Sequence, residues 1–503
     1  MFCKCFSAFV DGITSISVTV EADIGNGMPG FEMVGLLSCE VKEAEERVRI
    51  ALKNSGIKFP PKHITINISP ASIRKVGTAF DLPIAVVLLG AFNLIPINNL
   101  ENTLIVGELS LDGTVKAIKG ILPITINSAV NGVSRCIIPA DNTREVSVVE
   151  GVDIYGVDSI NTLIEFLTGR ISVSPCYGMN RDMDMQHTIE EDSFAQIAGQ
   201  EEAIRAVGVG VCGMHNIMMT GPPGCGKTMI AKAIPSIMPN MTMKESLDVS
   251  RIYSVAGLLN TDNYHITKRP FRAPHHSITT VGMTGGGANP KPGEISLASK
   301  GVLFLDELPE FSVKVIETLR QPLEEGIIQI SRLNGTYRFP ADFMLIAARN
   351  PCKCGYYPDR NRCNCSENEV RRYMRRVSRP ILDRIDIYTW VSQMDFQDIK
   401  NNRHIYSSLE LKERIENARQ RQLERFKGTD ISYNSNIPSA CIYDYCKIDK
   451  KGEDLLEKAF KKYKLTMRGY YKILRVARSI ADFEDCNKVE LSHIAEAISY
   501  RMD

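Results

Sequence analysis

Apolar and polar positions interchange at residues 13–20 and 63–68, and residues 104–106 and 136–138 are short runs of apolar side chains. Short apolar-rich runs of this kind predict strands. Between them, residues 41–52 carry apolar side chains at three- and four-residue steps and are closed by Gly56, which predicts a helix. Residues 1–170 are thus expected to form their own α/β or α+β unit. Residues 171–190, rich in Ser, Pro, Gly, Met and Asp, have no sustained period and are expected to be a linker. A second unit, residues 191–392, has the order strand (216–220), glycine loop, and helix starting at Lys227. Two further apolar strands are expected there, at 301–305 and 343–347. Residues 393–503 are expected to form a helical lid, with helical spacing over 411–425 and 453–502.

A length of 503 residues leaves room for three to four compact units, and 44% hydrophobic against 24% charged residues is the balance of a folded soluble chain. The most apolar stretch, residues 84–92, is far shorter than the roughly 20 residues needed to span a bilayer, so no membrane partner is expected. The N-terminus lacks a basic start and a long apolar core, and the expected location is the cytoplasm. Net charge is only +1, but basic residues cluster: six arginines face one aspartate over 371–384, and seven basic residues face no acidic one over 461–478. Charge distribution, not its sum, therefore leaves a polyanion partner open.

Gly221-Pro222-Pro223-Gly224-Cys225-Gly226-Lys227-Thr228 satisfies G-x-x-x-x-G-K-[ST] between a predicted strand and helix. Its glycines allow backbone N–H groups to turn inward around phosphates at a helix N-terminus. Lys227 is expected to reach the β- and γ-phosphates of ATP, and Thr228 to hold Mg2+. The run 301–305 ends in Asp306-Glu307, at the sheet edge where a nucleotide lies. Asp306 is expected to orient the magnesium shell and Glu307 to polarise the attacking water. The strand at 343–347 delivers Asn350 toward the same place.

Four of the 14 cysteines, Cys352, Cys354, Cys363 and Cys365, fall within fourteen positions. A set of four soft sulfur donors suits structural Zn2+, with reduced thiols or a redox or other-metal role as the alternatives. Residues 327–331 and 336–339 flank Asn334-Gly335, a strong hairpin signal.

The phosphate loop, the strand ending Asp306-Glu307, Phe271-Arg272-Ala273-Pro274-His275-His276-Ser277, the glycine triplet 285–287, Asn350-Pro351-Cys352 and Leu382-Asp383-Arg384 together resemble the magnesium-chelatase-like AAA+ ATPases of the ComM/YifB type. The resemblance spans essentially the whole chain. It implies a multidomain α/β protein with a P-loop AAA+ core and a C-terminal helical lid, assembled as a homohexamer with ATP held between subunits. It further implies that Asn350 is the sensor-1 residue, Arg384 the arginine finger for a neighbour's γ-phosphate, and Arg468 the sensor-2 arginine. Arg349 departs from the residue expected before that asparagine. In such rings hairpins line the pore, which makes Arg332, and Lys291 beside the glycine triplet, candidate contacts to DNA, single-stranded or branched. An exposed loop with incidental charge is the alternative for both.

Gly77-Thr78-Ala79-Phe80-Asp81-Leu82-Pro83 and Gly107-Glu108-Leu109-Ser110-Leu111-Asp112-Gly113 resemble the Lon-protease-like fold. No serine stands where the nucleophile belongs, the matching lysine position falls near Leu122, and Ser72 with Lys75 is a weak pair, so a scaffold or DNA-docking role is expected. The resemblance implies a hexameric DNA motor, such as a branch-migration helicase in homologous recombination or natural transformation. The alternatives are a chelatase-like motor that remodels a protein partner and, less favoured, an ATP-dependent protease.

Overall fold

Alternation starts the first sheet: Cys3, Cys5 and Ser7 point inward along Phe2–Asp11 while Phe2, Lys4 and Phe6 stay exposed. Gly12, at φ 66°, turns this strand back into Thr14–Gly25, and the two pair in antiparallel register from Phe2↔Asp23 to Asp11↔Thr14. The computed structural model describes residues 1–176, 193–197, 199–259, 264–332, 335–393 and 407–501. Most of the expected linker, Asn334 at the hairpin tip, and the start of the expected lid lie outside the described residues.

The first sheet runs Gly30–Val34, His63–Ser69, Thr14–Gly25, Phe2–Asp11, Thr103–Ile105, Arg135–Pro139, Asp153–Val157. The expected strands lie within or beside its members, but Phe2–Asp11, Gly30–Val34 and Asp153–Val157 were not anticipated. The helix expected at 41–52 is divided at Glu43 into Cys39–Lys42 and Ala44–Asn54. Asp81–Ala91, which contains most of the chain's most apolar run, is a helix with all eleven residues buried. A helix apolar on every side has no face to offer water, so it becomes the middle of the core.

The second sheet has five parallel strands in the order Phe271–Arg272, Val302–Leu305, Met344–Arg349, Ile217–Thr220, Ile387–Trp390. Parallel strands need crossover connections and coverage on both faces, and the central strands are accordingly buried throughout. Because every strand runs the same way, all their C-terminal ends meet at one edge. The hairpin Ile327–Arg332 with Gly335–Pro340 stands apart as its own ladder.

The stretch expected as helical over 453–502 consists of Lys450–Tyr463, Met467–Phe483 and Leu491–Ser499. Lys464 and Asp485, at φ 49° and 64°, separate them in left-handed conformations that end a helix. Ser408–Arg425 and these helices share one core with Glu201–Gly213 and the phosphate-loop strand. The first unit docks on the second through helix Ile121–Val130 against Met243–Ala256, where the Gly120 amide donates to the Ser254 carbonyl (3.1 Å) and Ser254 Oγ to Glu145 Oε1 (2.5 Å). No described helix is long and apolar enough to cross a membrane.

Candidate functional site

Thr220 ends its strand one residue before the loop, and the loop turns on Gly224 and Gly226 at φ 74° and 94°. A Cβ at either would meet nothing within 4 Å, so the concave side is open. A Cβ at Gly221 would lie 2.2 Å from the Val391 carbonyl, which excludes any side chain there. Lys227 begins helix Lys227–Ile237 and is buried. Its ammonium donates to the carbonyls of Gly221 and Pro222 (2.8 Å each) and to Asn350 Oδ1 (3.2 Å). Thr228 Oγ1 donates to Asp306 Oδ2 at 2.7 Å, and Asp306 Oδ1 accepts from the Glu307 amide at 2.9 Å.

The fold thus brings Lys227, Thr228, Asp306 and Asn350 from three strand ends to one point. Parallel registers Thr220↔Arg349 and Leu305↔Ala347 set that convergence. Glu307 adopts φ 51°, ψ 47°, an uncommon conformation for a non-glycine residue and one that concentrates at functional sites. These groups fit Mg-ATP: open amide turns and a lysine for the phosphates, and a hydroxyl–carboxylate pair for the ion. Arg349 is buried and gives its Nε to Thr220 Oγ1 (3.0 Å), so the unusual residue before Asn350 is absorbed by the neighbouring strand.

Tyr373 was not anticipated. Burial first, then the charges of Glu310 and Glu307, push its phenol up to about 12, and it is hydrogen-bonded to the Asn350 backbone. Nothing in the spacing of helix Glu367–Met374 marks this tyrosine, because its partners come from distant segments that follow other strands.

The four cysteines converge. Sγ separations are 3.3 Å (Cys352–Cys354), 3.7 Å (Cys352–Cys363) and 3.5 Å (Cys354–Cys363), and Cys365 Sγ lies within 4.8 Å of the rest. A tetrahedral ion with metal–sulfur bonds of about 2.3 Å implies sulfur edges of about 3.8 Å, close to this set. The amides of Gly355 and Tyr357 donate to Cys352 Sγ at 3.2 and 3.4 Å, which favours thiolate. Desolvation raises the Cys354 thiol, but the Tyr356 backbone and the neighbouring thiols outweigh it and bring the group down to about 6. The cysteine turn also touches the nucleotide loop: a Cβ at Gly355 would lie 2.5 Å from Pro223 Cδ. Glu484, Cys486 and His493 also place ligand-type atoms within 4.8 Å of one another, but Glu484 already pairs with Arg205 and with His493.

Arg384 and Arg468 lie elsewhere. Arg384 precedes strand Ile387–Trp390, and Asn216 Nδ2 holds its carbonyl at 3.1 Å, which places it at the edge of the sheet opposite the phosphate loop. Arg468, near the start of helix Met467–Phe483, meets it there: both Nη2 atoms bind Glu324 Oε1, at 2.6 and 2.7 Å. They line a cavity of about 380 Å³. Sequence reasoning did not single out Glu324, which sits in an unremarked acidic pair.

The two candidate polymer contacts are neighbours. A Cβ at Gly286, which pairs with Lys291, would lie 3.3 Å from Arg332 Nη2. Lys291 and Tyr337 also line a 580 Å³ cavity with Arg74 and Lys119 of the first unit. In that unit Lys75 is buried, its ammonium donating to the Pro70 carbonyl, whereas Ser72 is exposed; no Ser72–Lys75 hydrogen bond occurs among the described residues. Burial lowers the Lys75 ammonium. Leu122 is buried in an apolar helix, and Asp81, also buried, is taken by Arg47 at 2.8 and 2.9 Å.

Three family models match: "Magnesium chelatase, subunit ChlI" over residues 193–399, "Subunit ChlI of Mg-chelatase" over 20–142, and "Magnesium chelatase, subunit ChlI C-terminal" over 406–501. The chain is 38% identical to competence protein ComM of Haemophilus influenzae, covering 97% of this chain and 95% of that one. It is 37% identical to the uncharacterized protein YifB of Escherichia coli (97% and 95% covered) and 36% identical to an uncharacterized protein, Rv2897c, of Mycobacterium tuberculosis (99% and 98% covered).

Proposed function

Because the chain belongs to the magnesium-chelatase-like family that includes ComM and YifB, and that family implies ATPase activity with ATP and Mg2+, we propose that it is a homohexameric DNA motor that hydrolyses ATP at the seams between its subunits. The observation that carries this reading is the division of the machinery. Lys227, Thr228, Asp306, Glu307 and Asn350 occupy one edge of the sheet, and Arg384 and Arg468 the other. A single chain does not bring its own arginines to its own phosphates, whereas a head-to-tail ring sets one subunit's arginines against the next subunit's loop. A guanidinium fork presented this way stabilises charge on the transferring phosphoryl group.

In this reading Thr228 and Asp306 would hold Mg2+, which would neutralise charge on the phosphates. Lys227 leaves its loop carbonyls for the β- and γ-phosphates, Glu307 polarises the attacking water, and Asn350 helps to place it. Residues 1–170 serve as a Lon-like scaffold without protease chemistry, and residues 393–503 as the helical lid. DNA is the substrate because Lys291, Arg332, Arg74 and Lys119 gather around the hairpin and the cavity beside it, a set suited to a sliding phosphate backbone rather than to base readout. Branch migration in recombination or natural transformation is the activity this supports.

The deciding experiment incubates purified protein and ATP with a synthetic four-way junction, alongside sedimentation with and without nucleotide. Strand products and a nucleotide-dependent ring are expected; turnover indifferent to all DNA, with no product, contradicts the motor. Lys291→Ala and Arg332→Ala are expected to weaken DNA binding for all sequences alike. Each should also lower the slope of log affinity against log salt by about one per lost phosphate contact. Unchanged slopes would return both residues to incidental surface charge.

The cysteine cluster is proposed to hold one structural Zn2+ per chain. Native mass spectrometry in reducing buffer is expected to show one zinc, lost in Cys352→Ser. Since Gly355 leans on Pro223, that variant should also bind ATP several-fold more weakly. A metal-free wild-type chain would dismiss the site.

A further inference from the structure

The cavity that receives Arg384 and Arg468 holds an internal anion where an external one is needed. Arg384 is only 9% exposed, yet its Nε is buried without an acceptor. Its Nη2 is taken by Glu324, whose Oε1 simultaneously accepts from Arg468. A buried guanidinium N–H with no partner costs free energy, and it points to an acceptor that arrives later. Glu324 itself is open to solvent: it stands at the end of the short helix Arg320–Glu325, 42% exposed, just before Gly326 turns the chain. Lys472 and Arg475, which line the same cavity, are engaged by Asp386 (2.7 Å) and by the Ile437 carbonyl (2.8 Å), so Glu324 alone bridges the two arginines.

We propose that Glu324 is a placeholder for the neighbouring subunit's terminal phosphate: it pairs Arg384 with Arg468 in the unassembled chain and is displaced when a seam closes on bound nucleoside triphosphate. The bridge has two consequences. It keeps the guanidinium groups side by side, ready for a dianionic group with three terminal acceptor oxygens. It also competes with that group, so closing a seam requires breaking a carboxylate bridge, and bound nucleoside diphosphate, without the terminal phosphate, displaces it poorly. Glu324 is therefore a positioning residue that ties ring closure to the triphosphate state. The proposal rests on the reading that Arg384 acts across the seam.

The test measures ATP turnover by the full chain as a function of ATP and of protein concentration, for wild type, Glu324→Gln, Arg384→Ala and the double variant. Glu324→Gln keeps the shape and removes the competing charge. It is expected to lower both KM for ATP and the protein concentration at half-maximal specific activity by about fivefold, the scale of one ion pair to a partly exposed carboxylate, with a smaller change in kcat. ADP should then support ring formation in sedimentation where it does not in wild type. Glu324→Asp, which restores the charge, should return both midpoints toward wild type. The gain should vanish in the double variant, because the released group must be Arg384.

An active Arg384→Ala variant would overturn the seam reading itself. If Arg384→Ala is inactive while Glu324→Gln leaves both midpoints unmoved or raises them, the seam survives and the placeholder fails. If Glu324→Gln loses its wild-type thermal midpoint, Glu324→Ser carries the same expectation. Failure of both to fold makes Glu324 a structural clamp and equally overturns the proposal.

Discussion

Lys227→Ala is expected to abolish measurable ATP binding, and with it turnover. The ammonium is the one buried cation among the described residues that contacts the loop from inside, reaching two loop carbonyls and Asn350. Hydrogen bonds to charged partners are worth about 1.5 to 3 kcal/mol each. Losing two to the phosphates therefore weakens binding by about 10² to 10⁴. Global stability should change little by comparison, since the alanine keeps the helix start and leaves Gly221 and Pro222 carbonyls beside an open cradle that water can enter. Titration with a fluorescent ATP analogue, together with a thermal midpoint, separates these effects. Near wild-type affinity in a folded variant would remove the phosphate role from this loop.

Arg384→Ala is expected to bind ATP but to lose about 10³-fold in turnover, the lower end of what an arginine finger contributes. Glu307→Gln should likewise bind and not hydrolyse, because the isostere cannot polarise water as a carboxylate does. Each inactive variant retains what the other lacks. In a mixed ring, a loop from an Arg384→Ala subunit can face a finger from a Glu307→Gln subunit. At equal mixing about a quarter of the seams combine both intact halves, as head-to-tail rings allow. Partial recovery of turnover, greatest near equal proportions, is the expected signature. Absence of recovery at every ratio would mean that Arg384 does not act across a boundary. Within one chain Arg384 stands away from the loop, its carbonyl held by Asn216 at the beginning of the strand whose far end carries the loop.

The legible parts of the site are those where chemistry and local order coincide. The phosphate loop could be read because its glycine positions, lysine and threonine lie within eight consecutive residues, and a strand and a helix flank them. Asp306 and Glu307 could be read because a buried strand must end where its first polar residues appear. Cys352, Cys354, Cys363 and Cys365 could be read as a group because thiols so close in sequence return to one place with a single turn. By contrast, Tyr373 was invisible: its neighbours Glu307, Glu310 and Asn350 are more than twenty residues away. Glu324 was invisible for the same reason, its partners lying 60 and 144 positions downstream. The helix Asp81–Ala91 escaped because an all-apolar run has no period, so a buried helix and a buried strand look alike.

The residues by themselves determined that this chain is built to hold a nucleoside triphosphate and a divalent cation, because local backbone freedom at glycine and the charges beside it are enough to specify a phosphate cradle. Tertiary structure decided that the cradle and the two arginines stand apart. Only the order of parallel strands places Arg384 and Arg468 on the opposite edge of the sheet, bridged by Glu324. Strand order depends on which apolar faces pack together across hundreds of positions, and no spacing along the chain records it.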